Sequence, residues 1–350
     1  MATNVNSAFS EFLNNTVNIT KSDSDNAKRS RDYLINQINN ISNNGDFFKI
    51  ASEYNCYFGS FSRKTKICKL DDVDIIIGLN GSELLIEGTE WNNITLKLKD
   101  NCTKQMLLNL SDKFSGYWQA DNYQLNSNKV KNKLVSELSN ISQYEKAEIH
   151  ARGEAVTLKL KSYTWNFDIV PAFYCDGGQY NDSYFLIPNG YGKWKKTNPK
   201  IEQKRISDAN VKFNDTVLKT VRLVKYWNRR GKMPNITSYV LETMVLDYFD
   251  NASHYITKDD GTTVDYPDAH FRDALYYISN HIYGTVNDSK GIQGNINDLS
   301  YDEKYKICQR ARSDYEKAKN AVYAEVSEKD NKKSINIWRD IFGEDFPKYE

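Results

Sequence analysis

The sequence predicts an α+β protein with two lobes, a mixed-sheet lobe followed by a helical one. Residues 44–180 contain short apolar runs that alternate with polar side chains, as strands do. From about residue 200 onward, the apolar side chains instead recur with helical spacing. At 350 residues the chain is long enough for two substantial cores. We therefore expect a mixed α/β lobe over residues 44–180 and a helical lobe over residues 181–350.

The N-terminal segment, residues 1–43, is expected to supply one long helix that braces both lobes. Residues 1–22 carry few structural signals, and we expect them to be peripheral or weakly ordered. Over residues 22–43, Ala27, Leu34 and Ile38 recur at helical spacing, which predicts a helix.

The remaining elements follow in order from the same two periodicities. Residues 47–58 are rich in strand-forming residue types. Predicted strands lie at residues 73–79, 94–98, 148–160 and 164–173, and predicted helices at 103–114, 127–141, 215–230, 237–250, 271–283, 302–324 and 334–341. Pro171 lacks a backbone N–H, so we expect the strand that contains it not to continue as a central strand.

Composition excludes several classes of protein. The formal net charge of +1 argues against a broad binding surface for duplex nucleic acid. Five scattered cysteines form no CxxC pair and no zinc-ligand spacing with histidine. The sequence contains no apolar run of about 18 residues and no apolar N-terminal core of signal-peptide length. We expect a cytoplasmic monomer with no membrane contact.

Two acids at alternate positions of a predicted strand are the first candidates for chemistry. Asp72 and Asp74 share one strand face, where their like charges repel each other unless a cation offsets them. Hard carboxylate oxygens suit Mg²⁺ or Mn²⁺. The alternative is a pair of exposed acids at the start of a strand. Gly59 and Ser60 lie upstream, and a Gly-Ser turn allows a backbone to approach phosphate closely.

Asp168 is the third acid of interest, because it lies in mid-strand between bulky apolar residues. Neighbouring strands are about 4.8 Å apart, so a strand pair could group the three acids. Such a group suits two metal ions about 4 Å apart, an arrangement used for nucleotidyl transfer. The alternative is that Asp168 pairs with a lysine such as Lys159 or Lys161.

Four segments together resemble one enzyme family. The segments are GSFSRKTKI with DDVDIII downstream, WNFDIVPAF, VRLVKYWNRR and TSYVLETMVLDYF. They are similar to the motifs of polymerase-β-like nucleotidyltransferases, and most similar to the cGAS/DncV-like nucleotidyltransferases (CD-NTases) of bacterial anti-phage signalling. Asp71 departs from the family pattern, which has an apolar residue there.

The resemblance implies a metal-dependent synthase that joins NTPs into a cyclic oligonucleotide, which then activates a downstream effector in CBASS defence. It implies two Mg²⁺ or Mn²⁺ ions as cofactors. The implied catalytic and metal-binding residues are Asp72, Asp74 and Asp168. The implied nucleotide-binding residues are Gly59, Ser60, Lys225 and Ser238 for the triphosphate and Tyr239 for the base.

The residues themselves leave alternatives for the last three positions. Lys225 falls on the apolar stripe of its predicted helix, so it must either meet an anion or extend its amine to solvent. Ser238 lies near a predicted helix N-terminus, where it could bind phosphate or serve as an ordinary cap. Tyr239 could equally be a core or rim residue.

Other basic residues carry weaker expectations. Arg63, Lys64 and Lys66 are expected on a solvated surface, and Thr65 in a fold-supporting role. The segment Lys193–Lys196 mixes lysine with Trp194, which suits either a single-strand binder or the rim of the site. No Cys/His cluster matches the zinc insertion of animal cyclic GMP-AMP synthase, so we expect no activation by duplex DNA.

Two other functions remain open from the sequence. One is a linear oligonucleotide synthase, or a transferase that adds NMP to RNA or protein. The other is an inactive nucleotide-binding regulator, although the presence of all three acids argues against it.

Overall fold

A computed structural model describes residues 2–44, 47–99, 124–178, 182–231, 234–256 and 266–350. The chain divides into two compact units. The unit that we call the sheet unit comprises Lys21–Ser62 and Leu70–Lys200, and the unit that we call the helical unit comprises Met1–Thr20, Arg63–Lys69 and Ile201–Glu350.

The helices within the described residues are α1 (Val5–Phe12), α2 (Lys21–Asn44), α3 (Gly59–Ser62), α4 (Ser127–Ser139), α5 (Pro199–Lys212), α6 (Thr216–Arg229), α7 (Ser238–Ile256), α8 (Pro267–His281), α9 (Tyr301–Val326) and α10 (Asn331–Phe342). The strands are β1 (Cys56–Phe58), β2 (Asp72–Leu79), β3 (Leu84–Glu87), β4 (Thr95–Leu98), β5 (Glu148–Arg152), β6 (Ala155–Lys159), β7 (Asn166–Cys175), β8 (Tyr184–Pro188) and β9 (Trp194–Thr197). The predicted α+β class is confirmed.

A mixed sheet of seven strands organises the sheet unit. Its order is β1-β2-β7-β6-β5, with β8 paired to the far part of β7 and β9 paired to β8. Strands β2 and β7 run parallel, whereas the other neighbours in this sheet are antiparallel. Strands β3 and β4 form a separate two-stranded sheet. The β2–β7 pair positions the candidate site described below.

Two sheet predictions were wrong. Residues 148–160 form a hairpin rather than one strand, because the chain turns at Gly153, whose φ is +53°. Strand β7 continues through Pro171 in the middle of the sheet. It pairs with β6 as far as Ile169 and with β8 from Phe173 onward, so Pro171 falls where neither antiparallel neighbour is paired to it.

The other predictions in the sheet unit had mixed outcomes. Within α4, Val130, Leu134 and Leu138 are all fully buried, as their spacing of four predicts. In the β-rich stretch 47–58, only β1 is a strand, and Ser52–Tyr54 forms a 3₁₀ turn. The predicted helix at 103–114 lies outside the described residues.

The N-terminal twenty residues are part of a core, which corrects the expectation that they are peripheral. Val5, Ala8, Phe9 and Phe12 are completely buried along one face of α1. The ring of Phe9 meets that of Trp338 edge-on, with centroids 5.0 Å apart. The spacing i, i+3, i+4, i+7 was the available signal, because it defines an apolar stripe on a helix.

The helical unit otherwise follows the predicted elements, with ends displaced by a few residues. Helix α5 has no counterpart among the predicted helices, because few of its side chains are apolar. Among the described residues, no helix combines the length and apolar character that crossing a bilayer requires.

Candidate active site

Asp72, Asp74 and Asp168 converge within the sheet unit. The parallel register of β2 and β7 places Asp74 directly opposite Asp168, and Asp72 lies two residues before Asp74 on the same strand face. Each acid is half-buried, and the three offer ligand atoms that all lie within 4.8 Å of one another. The structure therefore brings together the three acids that the sequence singled out.

Thr157 is the hydrogen-bond partner that orients Asp168. It lies opposite Asp168 in the β6–β7 ladder, and its Oγ1 donates to Asp168 Oδ1 at 2.7 Å. The lysine pairing considered from the sequence is not what the structure shows, since Lys159 Nζ instead bonds to Glu148 Oε2 at 3.0 Å. Sequence reasoning missed Thr157. Alternation with Val156 and Leu158 was the only signal that it faces the acids.

Gly59 packs directly against the Asp74 carboxylate. Its backbone has φ +71°, a conformation that favours glycine, and a Cβ atom at this position would lie 1.7 Å from Asp74 Oδ2. The cause is the β1–β2 register, in which Phe58 lies opposite Asp74. Ser60 follows in the one-turn helix α3 and is half-buried. Glycine at residue 59 thus leaves room for the Asp74 side chain.

The three acids fit a divalent metal ion by the chemistry of their donor set. They supply hard carboxylate oxygens, which Mg²⁺ and Mn²⁺ prefer. Three like charges within 4.8 Å also repel one another, and a bound cation would offset that repulsion.

Lys225 in the helical unit is buried and meets an anion. Its side chain is 8% exposed, and Nζ lies 2.9 Å from Glu242 Oε1. Burial lowers the pKa of Lys225, and Glu242 offsets part of this change. Burial alone would raise the pKa of Glu242, but Arg63 and Lys225 hold it below its ordinary value. Thr65 Oγ1 also donates to Glu242, at 2.8 Å.

Arg63 corrects the expectation of a solvated basic loop. Its side chain is only 8% exposed, with Nε 2.8 Å from Glu242 and Nη1 2.9 Å from Glu202. Lys64 is exposed as expected. The sequence assigned no role to Glu242, although its place in the apolar run YVLETMVL was a signal that this carboxylate needs buried cations.

Lys225 and Ser238 line one cavity of about 270 Å³ in the helical unit. Helix α7 begins at Ser238, which is exposed, so the free N–H groups of its first turn lie at this end. The cavity lining is Ile67, Lys225, Asn228, Arg229, Asn235, Ile236, Ser238 and Leu241. Lysine, arginine and a helix N-terminus together favour an anion.

Tyr239 is half-buried and held at its hydroxyl and at its ring. The hydroxyl donates to Asp288 Oδ1 and lies 3.0 Å from Ser289 Oγ. The ammonium of Lys290 lies 3.9 Å from the ring centroid. Tyr239 is therefore fixed in position rather than loosely placed at a rim.

Trp194 is unavailable for stacking on nucleic acid. It is completely buried in β9, and its indole N–H donates to the Leu125 carbonyl at 3.1 Å. The single-strand binding considered for Lys193–Lys196 thus lacks the aromatic surface that it requires.

Comparison with known proteins gives similarity over the whole chain. No protein-family model matches the chain. A protein of Bacillus cereus strain VD146, described as a probable cyclic nucleotide synthase, is 37% identical over 352 residues and covers 100% of both chains. Among solved structures, CdnC of E. coli MS115-1 with ATP has a TM-score of 0.62 at 16% identity, covering 97% of this chain and 98% of CdnC. Apo DncV of Vibrio cholerae has a TM-score of 0.64 at 12% identity, covering 99% and 97%. At these identities the two structures establish the fold alone.

Proposed function

The chain belongs to the cGAS/DncV-like nucleotidyltransferases, and we propose that it joins nucleoside triphosphates into a cyclic oligonucleotide second messenger. The observation that carries the proposal is the convergence of Asp72, Asp74 and Asp168 across the parallel β2–β7 pair. The motifs quoted from the sequence support the further proposal of a role in CBASS defence, in which the product would activate an effector.

The proposed reaction is an attack by a ribose hydroxyl on the α-phosphorus of a second nucleotide, and a final attack of the same kind on the first nucleotide closes the ring. The new P–O bond forms as the bond to pyrophosphate breaks, and the hydroxyl proton is lost. Two bound Mg²⁺ or Mn²⁺ ions would neutralise the triphosphate and lower the pKa of the attacking hydroxyl. Asp72 and Asp74 would hold both ions. Asp168 would complete the second site and orient the hydroxyl, with its own orientation fixed by Thr157.

We propose that Gly59, Ser60, Lys225 and Ser238 bind the donor triphosphate. Gly59 and Ser60 would offer backbone N–H groups and a hydroxyl to phosphate oxygens. Lys225 would contribute its ammonium, which Glu242 fixes at 2.9 Å, and Ser238 would contribute the N-terminal turn of α7. Tyr239 would stack on the donor base.

The test is to incubate the protein with all four labelled NTPs and either Mg²⁺ or Mn²⁺, treat with phosphatase, and analyse products by mass spectrometry. We expect phosphatase-resistant cyclic products that disappear in the Asp72→Asn/Asp74→Asn double variant. Linear products would instead indicate an oligonucleotide synthase, and labelled RNA or protein would indicate an NMP transferase. Binding of NTPs without turnover in the presence of either metal would indicate an inactive nucleotide-binding regulator.

A further inference from the structure

A chain of alternating charges runs through the helical unit from Tyr239 to Lys225. Its six charged members are all largely buried, with side-chain exposures between 0% and 12%. Three are cations and three are anions, in the order Asp288, Lys290, Glu202, Arg63, Glu242 and Lys225. The proposed function assigns nucleotide contacts only to Tyr239 and Lys225, at the two ends of this chain of charges.

The Tyr239 end is fixed by the loop that follows α8. The carboxylate of Asp288 accepts the Tyr239 hydroxyl and lies 3.2 Å from Lys290 Nζ. Its second oxygen accepts backbone N–H groups from Ile292 and Gln293, at 3.2 and 2.9 Å. Because the loop backbone holds Asp288, the hydroxyl of Tyr239 has one defined position.

Lys290 joins the tyrosine to the rest of the chain of charges. It is 3% exposed, and its ammonium lies 3.9 Å from the Tyr239 ring centroid, which is cation–π geometry. The same Nζ lies 2.6 Å from Glu202. Burial opposes the charge of Lys290, but Glu202 raises its pKa above the ordinary value. Lys290 therefore carries its charge beside one face of the ring.

The remaining links lead to the lysine proposed for phosphate. Glu202 pairs with Arg63 at 2.9 Å, Arg63 with Glu242 at 2.8 Å, and Glu242 with Lys225 at 2.9 Å. Each inner member contacts charges of the opposite sign on both sides. A buried network whose members are all paired is rigid, because moving one member leaves the buried charge of its neighbour without a partner.

We propose that Lys290 and Asp288 are positioning residues for nucleotide binding. They hold Tyr239 so that the Lys290 ammonium covers one ring face and a nucleobase stacks on the other. Glu202, Arg63 and Glu242 connect this tyrosine to Lys225, so that base and triphosphate meet a surface arranged in advance. The inference rests on the proposed function of Tyr239 and Lys225.

The test uses Lys290→Met in the full-length protein, with the exposed Lys306→Met as matched control. Calorimetry would measure binding of the four α,β-methylene NTP analogues, which do not react, and of inorganic tripolyphosphate, each with Mg²⁺. For Lys290→Met, we expect affinity for the best analogue to fall about tenfold, because the cation–π contact and the ring position are lost. Tripolyphosphate affinity should change by less than about twofold, because this probe has no base. Lys306→Met should match wild type for both probes.

Three outcomes would overturn the inference. Equal losses for the analogue and for tripolyphosphate would mean that Lys290 acts only on overall structure, and no loss for either would mean that it does not position Tyr239. If Lys290→Met does not fold, Tyr239→Phe keeps the ring and removes the Asp288 hydrogen bond, and the same contrast between probes is expected. If even Tyr239→Ala binds the analogues as wild type does, the proposed function of Tyr239 fails together with the inference.

Discussion

The protein contains two groups of three carboxylates that differ in what surrounds them. In the sheet unit, Asp72, Asp74 and Asp168 gather their oxygens within 4.8 Å of one another. In the helical unit, Glu202, Glu242 and Asp288 each lie within 3.2 Å of a lysine or arginine nitrogen. The first group places like charges together, and the second alternates them with opposite charges.

This difference separates a ligand site from a structural network. A buried acid that is paired with cations stabilises its fold only through those partners, and losing one partner is costly. Acids brought together repel one another, and a bound divalent cation would offset that repulsion. The comparison predicts that variants in the first group lose activity, whereas variants in the second lose stability.

Asp74→Asn should separate activity from stability most strongly. We expect product formation to fall by at least about 10³-fold, because a proposed metal ligand is lost. The free energy of unfolding in metal-free buffer should change by less than about 1 kcal/mol, because the relief of repulsion among the three acids offsets the contacts that Asp74 loses. Product assays and chemical unfolding would measure both, with the exposed Asp182→Asn as control. Retained product formation would contradict the role of the triad.

Glu242→Gln should produce the opposite result. The substitution leaves the buried charges of Arg63 and Lys225 without their shared carboxylate, so we expect a loss of about 3–5 kcal/mol in the free energy of unfolding. Glu344 pairs with Arg339 but is 92% exposed, and Glu344→Gln should cost less than about 1 kcal/mol. Equal effects of the two substitutions in urea unfolding would show that the buried network is not structural.

Gly59→Ala should disturb the triad without removing an acid. The added Cβ would lie 1.7 Å from Asp74 Oδ2, so the carboxylate must move. We expect about a 10²-fold loss of product formation, because displacement by about 1 Å costs that much. Gly153→Ala is the control, since Gly153 also has a positive φ but no atom within 4 Å of an added Cβ. Comparable activity losses in both variants would assign the effect to backbone strain instead.

Acidification should reduce the stability that the second group of acids contributes to the folded protein. The folded-state pKa values of Glu242 and Asp288 lie below their ordinary values of 4.5 and 3.8. Their contribution to stability is therefore complete above about pH 4.5 and is lost as the pH falls through the folded-state pKa values. In unfolding measured from pH 7 to pH 3, the stability gap between wild type and Glu242→Gln should narrow. A constant gap would contradict the assigned direction for Glu242.

Local periodicity predicted most of the fold, and its two failures in the sheet have identifiable causes. Helix α4 was predictable because its apolar side chains recur with one clear period, and strand β2 because it is a short run rich in β-branched residues. The β5–β6 hairpin was missed because the alternation of Val156 and Leu158 was extended back to residue 148, although the apolar positions change phase across the turn at Gly153. Strand β7 passes through Pro171 because its neighbours change there, and pairing between strands distant in sequence is not encoded in either strand alone.

The site residues were predictable where an acidic side chain occurs at a position that the sequence pattern places on a strand. Asp72 and Asp74 share a face by alternation, and Asp168 is an acid among apolar residues. Arg63 was misjudged because a basic residue in a polar loop is usually solvated, and its partners Glu202 and Glu242 lie more than 130 positions away. Such pairs arise from tertiary packing, which a single sequence does not reveal.

Binding of Mn²⁺ in the absence of nucleotide tests the central distinction most directly. Calorimetry should compare wild type with Asp168→Asn from the first group and Glu202→Gln from the second. We predict that Asp168→Asn weakens Mn²⁺ binding by at least about tenfold, because one carboxylate ligand is removed, while Glu202→Gln leaves it within about twofold of wild type. Unchanged binding in Asp168→Asn, or an equal loss in both variants, would contradict the assignment of the triad as the metal site.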